Sequence, residues 1–242
     1  MTGEAMKLEP ADPPSLRPTS HEKARIFLVD DHAVLRLGLQ KLIAGEPDLV
    51  VCGEASSAKE ALHRLRSEPA DLVLVDISLP DTNGIELIKN LRAEKETLPI
   101  LVLSTYDESQ YALRALRAGA SGYLMKTEPS EELMLAIRRV LKGEIAVSKP
   151  FGEQLIFKVA RGTPTGASPL DRLSDRELEI LALVGNGKST AQIAEALGLS
   201  VKTVESHRLH AKEKLGLRTS PDLVRFAIEW VADSAAARQQ AS

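Results

Sequence analysis

Asp30 and Asp31 close one short apolar run and Asp76 closes another, and carboxylates spaced in this way can share a cation and a phosphoryl group. The runs are Ile26-Phe27-Leu28-Val29 and Leu72-Val73-Leu74-Val75. Each is too short for a helix and rich in strand formers, so both read as buried parallel strands. In an open α/β sheet ligands bind beyond the carboxyl ends of the strands, and carboxylates ending two neighbouring strands converge on one crevice. Like charges crowded there repel. A hard divalent cation such as Mg2+, which takes oxygen ligands and keeps its waters, relieves that repulsion and can in turn hold a phosphoryl group.

The elements that must position these residues alternate from about Ala24 onward. The pattern predicts strands over 25–29, 49–55, 72–76, 100–104 and 122–124, and helices over 33–45, 57–67, 84–95, 108–118 and 129–142. Five βα units with right-handed crossovers give a parallel sheet covered on both faces. In the first helix Leu35, Leu39 and Leu42 follow the i, i+4, i+7 spacing of a core-facing stripe. Gly45 and Gly143 stand where helix C-caps are expected. Residues 24–146 therefore read as one domain. Residues 1–23, with Pro10, Pro13, Pro14 and Pro18 among polar residues, read as a disordered tail. Residues 147–170 read as a linker with one short helix, ending in the Gly, Thr, Pro and Ser run from Gly162 to Pro169.

Beyond the linker, residues 171–231 carry only helical signals, and 232–242 read as a flexible tail. Ser174 with Glu177 three residues on is a capping box that opens an apolar helix through Leu178, Ile180, Leu181, Leu183 and Val184. Ser189 opens a second helix, Gly198 ends it, and Ser200 caps a third that reaches about Leu215. A fourth runs from about Pro221 to Val231. Two short helices joined by a tight turn make a helix-turn-helix, whose second helix can enter a major groove.

The chain of 242 residues is 43% hydrophobic, enough for sizeable cores, and its net charge of -3 advertises no nucleic acid by itself. Residues 171–231 hold nine Lys or Arg and nine Asp or Glu, so DNA binding must rest on a local patch. The single cysteine, Cys52, supports neither an internal disulfide nor a thiolate metal cluster, and reads as a reduced core residue. No apolar stretch is long enough to span a membrane and no signal peptide is evident, so the expected location is the cytoplasm.

Two sets of motifs, in this order, resemble bacterial two-component response regulators of the NarL/FixJ type, a receiver domain followed by a LuxR-type helix-turn-helix. The first set is Phe27 to His32, Asp76-Ile77-Ser78-Leu79-Pro80, Gly84, Ser104 and Gly122 to Lys126. The second is Leu173 to Leu181, Ile193-Ala194 and Lys202 to His207. The resemblance implies a five-stranded, doubly wound, flavodoxin-like receiver and an all-α four-helix DNA-binding domain. It implies that Asp76 is the phosphoacceptor, that Asp30, Asp31 and Asp76 hold Mg2+, and that Lys126 neutralises phosphoryl charge. Ser104 would bond a phosphoryl oxygen, and the ring at Tyr123 would turn inward on activation. A sensor histidine kinase, promoter DNA and RNA polymerase are the implied partners, with a homodimer on phosphorylation. Thr127 stands where many receivers have proline, and Asp81 where glycine is frequent, which adds charge near the pocket mouth.

Within the third C-terminal helix, Glu205, Ser206 and Leu209 fall on one face and are expected toward base edges. Lys202, Thr203, His207, Arg208 and Lys212 flank them toward the phosphate backbone, and Lys188 in the preceding turn adds to the patch. A metabolic enzyme is not expected. A Mg2+-dependent phosphohydrolase built on Asp76 needs an acid-base aspartate two residues on, and position 78 is Ser.

Overall fold

The computed structural model of the protein describes residues 23–160 and 168–239. The predicted tail over 1–23 lies outside them except for Lys23, as do residues 161–167 of the predicted linker. Strands β1 (Ala24–Val29), β2 (Leu49–Ala55), β3 (Leu72–Val75), β4 (Ile100–Ser104) and β5 (Gly122–Met125) alternate with helices α1 (Ala33–Ala44), α2 (Ala58–Arg64), α3 (Gly84–Glu94), α4 (Glu108–Ala118) and α5 (Ser130–Leu141). All pairings are parallel in the order β2-β1-β3-β4-β5. The direction of winding therefore reverses between β1 and β3, where an open sheet leaves its crevice.

Alternation along the strands sends side chains to two cores. Ile26, Leu28, Leu72, Leu74, Leu101 and Leu103 meet Leu39, Ile43, Leu133 and Ile137 of α1 and α5. Phe27, Val29, Val73, Val75 and Val102 meet α2, α3 and α4 on the opposite face. One position of the predicted α1 stripe is displaced: Leu42 is 42% exposed and Ile43 is fully buried. Ile43 lies one helical turn beyond Leu39 and so stays on its face, whereas Leu42 falls to the flank.

The C-terminal half comprises α6 (Lys149–Ala160), a 3-10 turn over Pro169–Arg172, and α7 (Asp175–Gly185), α8 (Thr190–Ala196), α9 (Val201–Lys214) and α10 (Ser220–Gln239). Ser174 and Ser189 both form reciprocal capping boxes, with Glu177 and Gln192. Gly198, at φ +62°, makes the turn that sets α9 across α8. The flexible tail predicted over 232–242 is corrected in part, because α10 continues to Gln239. Ala232, Ala235, Ala236 and Ala237 lie in this stretch, and alanine has the highest helix propensity.

The two halves share one core. The cluster on the α2–α4 face of the sheet continues into Leu178, Leu181, Ile193, Val204 and Ala227. Its tightest backbone approach within the sheet half is at Gly84, the first residue of α3. A Cβ there would overlap the carbonyl of Asp76 and come within 2.8 Å of the Ile77 Cα. Gly84→Ala is accordingly expected to lower stability by about 1–3 kcal/mol through backbone displacement. Urea unfolding of the two proteins checks this, and an unchanged midpoint would refute the close approach.

Candidate functional site

Asp30 lies directly after β1 and Asp76 directly after β3, and the ladder continues past both: Asp76 N–H donates to Val29 at 2.8 Å and Asp30 N–H to Ala55 at 3.1 Å. Both carboxylates are buried, while Asp31 and His32 stand at the mouth. The ligand atoms of Asp30, Asp31, His32 and Asp76 lie within 4.8 Å of one another. Lys126, reached from the end of β5, places Nζ at 2.7 Å from both Asp30 Oδ2 and Asp76 Oδ2. Its own N–H donates to the Ser104 carbonyl at 2.7 Å, which ties β5 to the end of β4. Arg36 of α1 donates to the Asp30 carbonyl at 2.6 Å and fixes the backbone at that corner. Oxygen donors gathered so closely around a shared cation suit a hard divalent metal.

The electrostatics follow from burial and these pairings. Desolvation pushes the Asp76 carboxyl up to about 6; Lys126 opposes the rise and Asp30 adds to it. Burial acts against the Lys126 charge, but Asp76 and Asp30 outweigh it and raise the pKa. The Ser78 N–H bonds the Asp76 carboxylate from the loop that follows. His32 donates its backbone N–H to Asp30 Oδ1 at 2.7 Å, and its ring lies 2.7 Å from Asp31. Asp81 faces away from the pocket: its two oxygens accept from Ala58 and Lys59 at 3.0 and 2.8 Å, capping α2. The charge expected at the pocket mouth is thus spent on a helix N-terminus.

Ser104 and Tyr123 occupy the same strand edge. Ser104 Oγ accepts the Tyr106 N–H at 3.1 Å. Tyr123 is fully buried, with its ring already inside and its hydroxyl donating to the Tyr106 carbonyl at 2.8 Å. Tyr106 in turn stacks on Tyr111, with ring centroids 4.6 Å apart.

A second cluster, which the sequence reading missed, joins the sheet half to α7. Glu179 is 0% exposed and accepts four hydrogen bonds. Ser78 Oγ at 3.1 Å and the Tyr106 hydroxyl at 3.3 Å reach Oε1; Asn83 at 3.0 Å and Arg176 at 2.8 Å reach Oε2. One turn earlier on the same face, Asp175 meets Lys89 at 2.9 Å and Arg114 at 3.1 Å. Arg114 also donates to the carbonyls of Leu173 and Leu170. Gly198 packs against the Pro80 carbonyl from the α8–α9 turn. Three acids within five residues open α7, at Asp175, Glu177 and Glu179, but nothing local in the sequence distinguishes the one that is buried against the sheet half.

On α9, Lys202, Glu205, Ser206 and Leu209 are exposed together, and Thr203, His207, Arg208 and Lys212 are half-buried at their flanks. Thr203 is held by the Ser200 cap, with its hydroxyl 2.7 Å from Ser200 Oγ, and Arg208 donates to the Thr190 hydroxyl at 2.6 Å. Lys188 is exposed in the turn before α8. Lys214 is not a free surface cation, since it pairs with the buried Glu177 at 2.7 Å. Val204 is fully buried beneath the exposed face.

Residues 26–138 match the family model of the response regulator receiver domain, and residues 171–227 that of bacterial regulatory proteins of the luxR family. The chain is 36% identical over 210 residues to the oxygen regulatory protein NreC of Staphylococcus aureus (strain bovine RF122 / ET3-1), spanning 85% of this chain and 97% of that protein. It is similar in structure to a LuxR-family two-component response regulator from Aurantimonas sp. SI85-9A1, with a TM-score of 0.54 and 36% identity over 57% of this chain and 99% of that one. It is similar as well to RcsB from Salmonella enterica serovar Typhimurium, solved bound to promoter P1flhDC with the phosphomimetic BeF3-. There the TM-score is 0.57 and identity 26%, over 85% of this chain and 98% of that one. A flavodoxin-like receiver joined to a LuxR-type helical domain defines a response regulator. The chain belongs to the NarL/FixJ family of DNA-binding response regulators of two-component systems.

The raised pKa of Asp76 has a consequence for metal-free protein. Its ordinary value is 3.8, so between about pH 4 and about 6 the folded state holds a proton that the unfolded state has lost. The stability from that proton is present below pH 4 and is lost as pH rises through 6. Asp76→Asn should therefore gain on wild type across this window, by up to about 3 kcal/mol. Thermal unfolding with a chelator at several pH values tests it, and a difference that does not change with pH would count against the buried carboxylate.

Proposed function

We propose that Asp76 receives a phosphoryl group from a sensor histidine kinase, and that this modification controls dimerisation and the binding of promoter DNA by α9. The reading is supported chiefly by Lys126 standing 2.7 Å from both Asp30 and Asp76 at the carboxyl edge of the sheet. An Asp76 oxygen attacks phosphorus as the bond from phosphorus to the donor nitrogen breaks, and the electron pair leaves with the imidazole. Asp30, Asp31 and Asp76 would hold Mg2+, which neutralises charge on the phosphoryl oxygens when bound. Lys126 follows the negative charge from carboxylate to acyl phosphate, and Ser104 offers its hydroxyl to a phosphoryl oxygen. Acting with DNA and a kinase, the protein works in the cytoplasm as a transcriptional regulator, with RNA polymerase as the downstream partner. Its own chemistry is limited to gaining and losing the phosphate.

Incubation with acetyl phosphate and Mg2+ should give one stable label per chain, lost in Asp76→Asn. Rapid multiple turnover would favour a phosphohydrolase instead, and labelling that survives the substitution would move the acceptor elsewhere.

For DNA, the exposed Glu205, Ser206 and Leu209 face of α9 supports direct readout in the major groove, with Lys188, Lys202, Thr203, His207, Arg208 and Lys212 toward the phosphates. Lys202→Ala should weaken binding to all sequences alike and lower the salt dependence by about one ion. Glu205→Ala should change base preference at one position by about 1–3 kcal/mol, because a carboxylate accepts from cytosine N4. Selection from randomised sites decides this, and unchanged selectivity would remove Glu205 from base readout.

A further inference from the structure

We propose that the cavity enclosed by β5, α5 and α6 is a binding site for a small amphipathic cation, an apolar body carrying an amine or amidinium group. The cavity owes its existence to the sheet edge. β5 is the last strand of the sheet, and the chain leaving α5 covers only its first residues. Tyr123 N–H donates to the Ala146 carbonyl at 2.8 Å and Ala146 N–H to the Ser121 carbonyl at 3.0 Å, around a single bridge between Gly122 and Ala146. Ser148 N–H then turns to the Glu108 carboxylate at 2.8 Å, which draws the chain toward α4, and α6 begins at Lys149. The far end of β5 is left facing a space of about 480 Å3, with α5 and α6 as its walls and the start of α4 closing one end. Small-molecule sites run from roughly 300 to 1,000 Å3, so the volume suits a ligand of modest size. A partner helix, about 10 Å across, would have to displace α6 to enter.

The lining selects the kind of ligand. Its apolar groups lie deepest: Met125, Ala136 and Ala146 are buried, and Leu124, Val147 and Phe151 are half-buried. Leu135 at the mouth is 53% exposed, an apolar surface that a ligand would take from water. The charges are predominantly of one sign. Glu108 is half-buried, Glu128 and Glu132 are exposed, and none of the three meets a cation among the described residues. Glu108 and Glu132 each stand in the first turn of a helix, α4 and α5, where the backbone amides favour the ionised form. Arg139, the basic residue of the lining, is turned to Glu144 at 3.4 Å and to the Ile145 carbonyl at 2.6 Å. Burial of the apolar body supplies the affinity, and the carboxylates choose the head group, because exposed ion pairs are individually weak. An anionic head on the same body meets like charges.

The experiment titrates the full chain, carrying methyl-labelled methionine, with phenylbutylamine, phenylbutanol and phenylbutyrate. The Met125 methyl, identified by its loss in Met125→Leu, reports from inside the cavity. The amine should shift that signal saturably and bind about 5-fold more tightly than the alcohol, the ratio that one exposed ion pair supplies at its upper limit. The carboxylate should bind more weakly than the alcohol. Glu128→Gln and Glu132→Gln together should bring amine and alcohol to equal affinity, and the fold tolerates the change because both side chains are exposed. Phe151→Ala should weaken all three probes alike, because α6 meets the apolar body and not the head group. A Met125 methyl that no probe moves overturns the proposal. So does an alcohol or carboxylate that binds as well as the amine, and so does a preference for the amine that survives the double substitution. Affinities left unchanged by Phe151→Ala would take α6 out of the site and overturn it as well.

Discussion

The Lys126 ammonium is the cation on which the carboxyl edge of the sheet depends. Two buried carboxylates, Asp30 and Asp76, face each other across adjacent strands, and burial strips both of the water that would otherwise screen them. Lys126 meets each at 2.7 Å and is itself drawn into its charged form by them. The strand order makes this arrangement possible. Only where the winding reverses, between β1 and β3, do two strand-end side chains face an open crevice without a crossover helix in the way. The burial that makes Asp76 hard to ionise also keeps water from competing for whatever the carboxylate binds.

That edge carries two tasks with the same loops. The residues following β3 and β4 line the acidic pocket on one side and form the domain contact on the other, with Ser78, Asn83 and Tyr106 converging on Glu179. Glu179 is buried against a desolvation cost that raises its pKa, and four donors hold it in place. A buried carboxylate with every lone-pair direction engaged is stable only while all its partners stay where they are. Small displacements at the strand ends therefore act on the domain contact at once, without a long chain of intermediaries.

The parts of this structure readable in the sequence are those with local causes. Strand runs of four apolar residues, the Ser174 and Glu177 capping box, and the aspartates at strand ends each carry their signal within a few positions. Lys126 and Ser104 were readable because each ends a strand of the same parallel sheet. Glu179 was not, because its receiver partners lie 73 to 101 residues away and a glutamate among other charges at the start of a helix resembles a solvated one. Asp81 was misread for the same reason: its role is defined by the N-terminus of α2, more than twenty residues earlier. Lys214 shows the reverse error risk, a surface-looking cation that serves the cap of α7 through Glu177.

The placement of α9 bears on how a receiver can restrain such a domain. The receiver packs on α7 and on the α8–α9 turn at Gly198, and the face of α9 bearing Lys202, Glu205, Ser206 and Leu209 remains exposed. Restraint in this arrangement does not require covering the base-reading residues. It can act by fixing each helix-turn-helix to its own receiver, since two half-sites on DNA demand a set separation and orientation of two recognition helices. The residue on α7 most deeply engaged by the loops after β3 and β4 is Glu179, on the side of the helical domain away from the exposed face of α9.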